Sequence, residues 1–389
     1  MEYKLNRAWA EINLDNIAHN VRELKNLINK KTEIMAAVKA DAYGHGVFEV
    51  VRTLLENGVT RLAVSMLDEA IQLRLNGIKV PILILSYTDP VRAEEILEYD
   101  VTQTVFSFDL AKALSKAAVK MSREVKIHIK VDTGMARVGF MPGYSAVENI
   151  ITISKLPGIV IEGLFTHFAS ADEEDESYTN LQFEKFMSIV NELSRVGVHI
   201  PVKHVANSAA TVKYTHMHLD MVRPGIILYG LYPSPKELDK LDLMPAMAFK
   251  ANIILIKDVE KETSISYGRT FKATQKSRIA TIPVGYADGF ARILSNRAKV
   301  LVNGEFAPVV GSICMDQCMI DISALSSDVK VGDEVVIFGK QGDNEITVED
   351  VASLMGTINY EVICIIGKRI PRVYVKDGRV NNILNYLLE

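Results

Sequence analysis

Eight short apolar runs, most of them followed by a helical pattern, fill the first 230 residues and restrict the fold more than any other feature. They are IMAAV (34–38), RLAVSM (61–66), PILILS (81–86), TQTVFS (102–107), VKIHIKV (125–131), IVIEGLFTHF (159–168), VKHVANS (202–208) and MVRPGIILYG (221–230). Between them lie amphipathic stretches such as DPVRAEEILEYD and NLQFEKFMSIVNELSRVG. Strands that are apolar throughout, alternating with helices, belong to a parallel sheet covered on both faces. Eight such units in about 200 residues predict a closed α/β barrel. A doubly wound open sheet is the alternative, but no G-x-G-x-x-G follows the first run.

The pattern breaks at LYPSPKELDKLDLMP (231–245), and the later strand-like runs alternate apolar and polar residues without long helices between them. The expected architecture is therefore an eight-stranded parallel β/α barrel followed by a mostly antiparallel β domain. The barrel is expected over residues 1–238 and the β-rich domain over 239–389, with about residues 1–14 forming a strand that packs with the second domain. Asn303-Gly304, between two strand-like runs, signals a tight hairpin. The acidic run DEEDES (172–177) reads as a solvated loop.

Composition bounds the function. A chain of 389 residues exceeds one ordinary domain and suggests two. A net charge of −4 gives no general attraction to nucleic acid or to anionic membrane. No apolar run approaches the ~20 residues of a membrane span. The charged N-terminus MEYKLNRAWAEINLD has no signal-peptide core. Three cysteines, Cys314, Cys318 and Cys364, are too few for a disulfide framework and lack the partners of a metal site. A cytoplasmic protein without metal is expected.

Active sites of such barrels are built where the strands end. Lys39 lies just past the first run, in AAVKADAYGHG. On position alone it is a solvated loop lysine, but the other strand ends change that reading. The seventh ends in Asn207-Ser208 and the eighth continues as Arg223-Pro224-Gly225-Ile226. The last two loops are the usual phosphate site of this architecture, and Gly225 lets the backbone approach an anion closely. A lysine facing a phosphate ester suggests pyridoxal 5′-phosphate held as a Schiff base. Arg223 is the candidate partner of the ring nitrogen. As a pure donor it keeps that nitrogen unprotonated and the ring a weak electron sink, which favours reversible proton transfer. His167 and His204 are placed to orient Arg223 or stack on the ring, although a lone strand-end histidine is more often part of the core.

The segments AVKADAYGHG, KVDTGMARVGF, HVANSAA, DMVRPGIILYG, SISYGRTF, VGYADGF, VGSICMDQCMIDI and GTINYEVICIIGKRIPRVY resemble the successive signatures of the alanine racemase family, in that family's order and over nearly the whole chain. The resemblance implies a homodimer that interconverts L- and D-alanine for peptidoglycan on pyridoxal phosphate. Lys39 would carry the cofactor and act as one base. Tyr267 would act as the second, from the partner subunit. The resemblance further implies phosphate contacts at Tyr43, Ser208, Gly225, Ile226 and Tyr360, and substrate-carboxylate contacts at Arg137 and, across the dimer, at Met315. It also implies a carbamylated Lys130 paired with Arg137, and an entrance lined by Tyr286, Arg292, Ile358 and Asp172.

Three rivals remain at this stage. A basic amino acid decarboxylase of the same cofactor-barrel group keeps a carboxylate where Arg223 stands. A racemase of serine, lysine or a broader substrate set differs only in pocket size. A non-enzymatic cofactor-binding barrel would lack a second domain.

Overall fold

Strands too short and too apolar to stand alone must close on one another, and here they close into a barrel. The computed structural model describes residues 7–234 and 241–388. The expected boundary at 238/239 lies outside them. The described residues form two compact units, one of Asn16–Ala42 and Val47–Met244, the other of the chain up to Asp15, Tyr43–Gly46 and the chain from Pro245 onward.

The strands are β1 (Ala8–Asn13), β2 (Glu33–Ala37), β3 (Arg61–Val64), β4 (Ile82–Ile84), β5 (Thr102–Val105), β6 (Val125–Lys130), β7 (Ile159–Phe165), β8 (Val202–His204) and β9 (Met221–Val222). Among the described residues β2 to β9 make an eight-stranded parallel sheet in the order β8-β7-β6-β5-β4-β3-β2-β9. The β8–β9 seam is bridged by Asp220 N–H to Lys203 O (3.1 Å) and Arg223 N–H to Ala206 O (2.9 Å). The barrel is thus nearly closed, and the open-sheet alternative falls. Met35, Ala63, Leu83, Val202 and Met221, from five strands, share one core cluster.

The helices bury one stripe each. Ile17, Val21 and Leu24 of the helix Leu14–Leu27 are buried at helical spacing, while Arg22 and Lys25 stay outside. The last apolar run is not a strand throughout. Pro224 has no N–H to continue the ladder, so β9 stops at Val222 and Ile226–Tyr229 winds into a 3-10 turn.

The second unit is mostly antiparallel, with β10 (Met247–Asn252), β11 (Leu255–Val259), β12 (Ser264–Ile265), β13 (Phe271–Lys272), β14 (Ser277–Ile282), β15 (Lys299–Val302), β16 (Glu305–Val310), β17 (Cys318–Asp321), β18 (Glu334–Gln341), β19 (Asn344–Ile346), β20 (Arg372–Lys376) and β21 (Arg379–Leu384). Its large sheet runs β11-β14-β17-β16-β15-β18-β10-β1-β20-β21. Within it β1 pairs antiparallel with β10 and parallel with β20. The Asn303-Gly304 hairpin forms between β15 and β16, with φ of 50° and 80° as a two-residue primed turn requires. Among the described residues no helix is long and apolar enough to cross a membrane.

Candidate active site

Directly after β2 the chain does something the sequence does not announce. Ala40, Asp41, Ala42 and Tyr43 take φ of 51°, 56°, 54° and 54°, four successive non-glycine residues in the left-handed region. Each such residue costs roughly 1–2 kcal/mol, so the turn needs support. Glu69 supplies part of it, since Ala40 N–H donates to its Oε1 (2.6 Å) and Ser65 N–H to its Oε2 (2.7 Å). Val47 N–H donates to Asp41 Oδ1 (2.8 Å) and Ala42 N–H to Val38 O (2.9 Å). This supported, strained turn follows directly on Lys39, just past the end of β2.

Other strand ends of the barrel bring further candidates to the same mouth. Asn207 caps the helix Ser208–Lys213, its Oδ1 accepting from Ala210 N–H (2.9 Å). Gly225 N–H donates to Ser208 Oγ (2.8 Å), which ties the β8 and β9 loops together beside Ile226. Arg223 is buried among acceptors. Its Nη1 meets His204 Nδ1 (2.8 Å), and its Nη2 donates to Thr166 O (2.9 Å) and Val205 O (3.2 Å) and faces His167 Nδ1 (3.4 Å). Its Nε is engaged by none of the described residues.

The mouth is strongly cationic. Lys130, 3% exposed at the end of β6, has its ammonium pushed down to about 8, by burial first and then by Arg137, Arg223 and Lys39. Burial and Arg223 hold His167 well below the usual imidazole value. Arg137 itself is exposed on a loop that Asp132 organises. Asp132 Oδ1 accepts from Gly134 and Ala136 N–H (3.0 and 2.9 Å) and Oδ2 from Arg137 N–H (2.8 Å). Burial works to raise the Asp132 carboxyl, but these backbone donors outweigh it and keep it below the ordinary carboxylate value.

In the second unit Tyr267 is 71% exposed on a 3-10 turn that follows Ser266 at φ 66°. Two serines pin that turn. Ser266 Oγ donates to Ser312 O (2.6 Å) and Ser312 Oγ to Tyr267 O (2.9 Å). Met315, 52% exposed, sits on a loop laid against Gly285–Ala287 by Tyr286 N–H to Cys314 O (3.0 Å) and Ala287 N–H to Met315 O (3.1 Å). A Cβ at position 285 would meet Cys314 O at 2.2 Å, so only glycine permits that approach. Tyr43 and Tyr360 lie with ring centroids 6.1 Å apart, and burial raises the Tyr43 phenol above its usual value.

The family model of the alanine racemase N-terminal domain matches residues 12–233, and that of the C-terminal domain matches 246–374. The alanine racemase of Clostridium tetani is 51% identical over 385 residues, 98% of this chain and 99% of that one. A solved alanine racemase of Clostridium difficile superposes with a TM-score of 0.96 at 45% identity, over 99% of this chain and all of that one. The chain belongs to the alanine racemase family. It is an isomerase of amino acids, and the decarboxylase and non-enzymatic readings fall. A histidine racemase from Leuconostoc mesenteroides is similar too, at 30% identity and a TM-score of 0.88 over 96% of this chain and 99% of that one.

The strand ends led to Lys39, His167 and Arg223, and the resemblance to Lys130 and Arg137, but neither led to the groups behind them. Asp132, which shapes the Arg137 loop, and Glu69, which holds the turn after Lys39, went unread. Both are carboxylates facing backbone N–H groups, and Asp132 stands in D-T-G, a turn signal that was available.

Proposed function

We propose that this chain binds pyridoxal 5′-phosphate at the barrel mouth and interconverts L- and D-alanine by passing the α-proton between Lys39 and the partner subunit's Tyr267. The observation that carries this reading is Arg223, a buried donor-only guanidinium at a strand end of a mouth that also holds Lys39, with Nε left over after its other nitrogens are engaged. The donor set suits the cofactor. Ser208 and the backbone of Gly225 and Ile226, together with Tyr43 and Tyr360, would hold the phosphate, with Asn207 fixing the loop. Arg223 would donate to the ring nitrogen and keep it unprotonated. When bound, the cofactor supplies delocalisation for the electron pair left on Cα.

The remaining work falls to side chains. Arg137 and the N–H of the partner subunit's Met315 would grip the substrate carboxylate, so that Cα–H points at one base or the other. Lys39 takes the proton from one face and the partner subunit's Tyr267 returns one to the opposite face. A phenol acts as a base only near positive charge, and Arg223 would supply it, with His167 beside it as a neutral imidazole. Lys130, poor in proton affinity for a lysine, suits addition of carbon dioxide. The resulting anion would pair with Arg137 where two cations would repel. The enzyme would work as a cytoplasmic homodimer with shared sites and provide D-alanine for peptidoglycan.

A chiral assay across L-alanine, L-serine, L-lysine and L-histidine tests the substrate. D-alanine should form with the highest kcat/KM. A higher value for any of the others would replace alanine in this reading, and the histidine racemase neighbour makes L-histidine the sharpest of those comparisons.

A further inference from the structure

Behind Arg223 the barrel interior carries a continuous line of polar side chains. His204 Nδ1 lies 2.8 Å from Arg223 Nη1, and His204 Nε2 lies 2.8 Å from His128 Nδ1. His128 Nε2 is 3.1 Å from Glu162 Oε2, which also accepts from Arg61 Nη1 (2.8 Å), while Arg61 Nε donates to Glu33 Oε2 (2.6 Å). Glu33 and Arg61 are the first residues of β2 and β3, so the line ends at the opposite mouth of the barrel from Arg223.

We propose that His204, His128 and Glu162 act as positioning residues for the racemase reaction, with the Glu162 carboxylate as the anionic terminus that holds Arg223 as a charged donor. This rests on the reading of Arg223 as the group that faces the cofactor ring. Its two ends fix the direction of the line. A guanidinium only donates, so His204 Nδ1 is bare and its proton sits on Nε2. That proton points at His128 Nδ1, which is then bare as well, and the His128 Nε2–H points at a carboxylate that only accepts. Both imidazoles therefore turn their negative ends to Arg223 and their positive ends to Glu162. Turning His204 around would set an N–H against the guanidinium, and turning His128 around would set its N–H against that of His204 and a bare nitrogen against the carboxylate.

The sheet is built around this line. The β6–β7 register jumps so that Ile127 faces Ile161 but His128 faces Gly163, leaving Glu162 as the extra residue of a bulge that aims its side chain inward. A Cβ on residue 163 would stand 2.4 Å from His128 Nδ1, so glycine is needed there. Phe165 stacks on His204 at 4.8 Å and 7°. His128 and His204 are fully buried, and burial holds both below the ordinary imidazole value, so both are neutral. The Glu162 carboxyl is held down to about 2, first by the His128 hydrogen bond, against the desolvation that would raise it. Burial lowers Arg223 to about 9, and the bare Nδ1 that His204 turns to its Nη1 favours the charged form. His204 and His167 face Arg223, with Lys130 nearby, whereas His128, Arg61 and Lys126 face Glu162.

Two measurements on the holoenzyme test this. With 15N-labelled histidine, His128 and His204 should both be neutral Nε2–H tautomers from pH 6 to 9. A proton on Nδ1 of either, or an imidazolium at neutral pH, overturns the proposal. In Glu162→Gln, kcat should fall about tenfold to a hundredfold, the usual size for an outer partner of a reacting group. KM for alanine should be unchanged, and the alkaline limb of the kcat profile should move to lower pH. A lower kcat with the limb unmoved would mean that Glu162 only shapes the barrel. If the wild type formed no D-alanine the racemase reading would fail alone, because the tautomers are read independently of turnover.

Discussion

Arg223 Nη1 stands 2.8 Å from Nδ1 of His204, so the guanidinium donates into a ring nitrogen that carries no proton. The contact orients the guanidinium. Replacing the arginine by an acceptor should therefore change the chemistry more than the fold. Arg223→Glu is expected to allow protonation of the cofactor nitrogen and to deepen delocalisation of the carbanion. Racemisation should slow by several kcal/mol of barrier, the order of a lost preorganised donor. A long-wavelength absorbance band and transamination by-product should appear. Wild-type rate without such a band would remove Arg223 from the ring.

Asp132 holds the Arg137 loop through three backbone N–H groups. Asp132→Ala should free that loop while leaving Lys39 and Arg223 in place. KM for alanine should rise several-fold with kcat little changed. Steady-state kinetics read this directly, and an equal fall in kcat at constant KM would place Asp132 elsewhere in the reaction.

The carbamate at Lys130 depends on a neutral amine. With its pKa lowered to about 8, the neutral form accumulates as pH rises through that value, and roughly half is present there. An ordinary lysine near ~10.4 would be under about one hundredth neutral at the same pH. A carbamate signal from 13C-bicarbonate should therefore grow between pH 7 and 9 and vanish in Lys130→Ala. Its absence from the wild type at pH 9 would leave Arg137 without that partner.

Shared sites predict complementation. Lys39→Ala and Tyr267→Phe proteins, each inactive alone, should regain about a quarter of wild-type activity when random subunit exchange makes half the dimers mixed, each with one intact site. No regain after demonstrated exchange would mean that Tyr267 serves its own chain.

The barrel was legible because its strands are buried on both faces and so read as unbroken apolar runs. The same signal overran at MVRPGIILYG, where apolarity continues but Pro224 ends the ladder. Asn303-Gly304 was legible because only a few residue types tolerate both positive φ values. The left-handed turn at 40–43 was not, since Ala, Asp, Ala and Tyr carry no preference for it and the support comes from Glu69, 29 residues away from Ala40. Positions such as Lys39, Asn207 and Arg223 were found because strand ends of a barrel converge. His128 and Glu162 lie mid-strand, and what joins them to His204 is a bulge and a glycine that no periodicity in one strand reveals.

Every step proposed for this site depends on Lys39 carrying the cofactor at the barrel mouth. Borohydride reduction of the cofactor-loaded protein followed by peptide mass mapping tests it most directly. The pyridoxyl label should be found on Lys39, and Lys39→Ala should keep its fold while losing the label and racemisation in both directions. A label recovered on Lys130 or any other lysine would contradict the account.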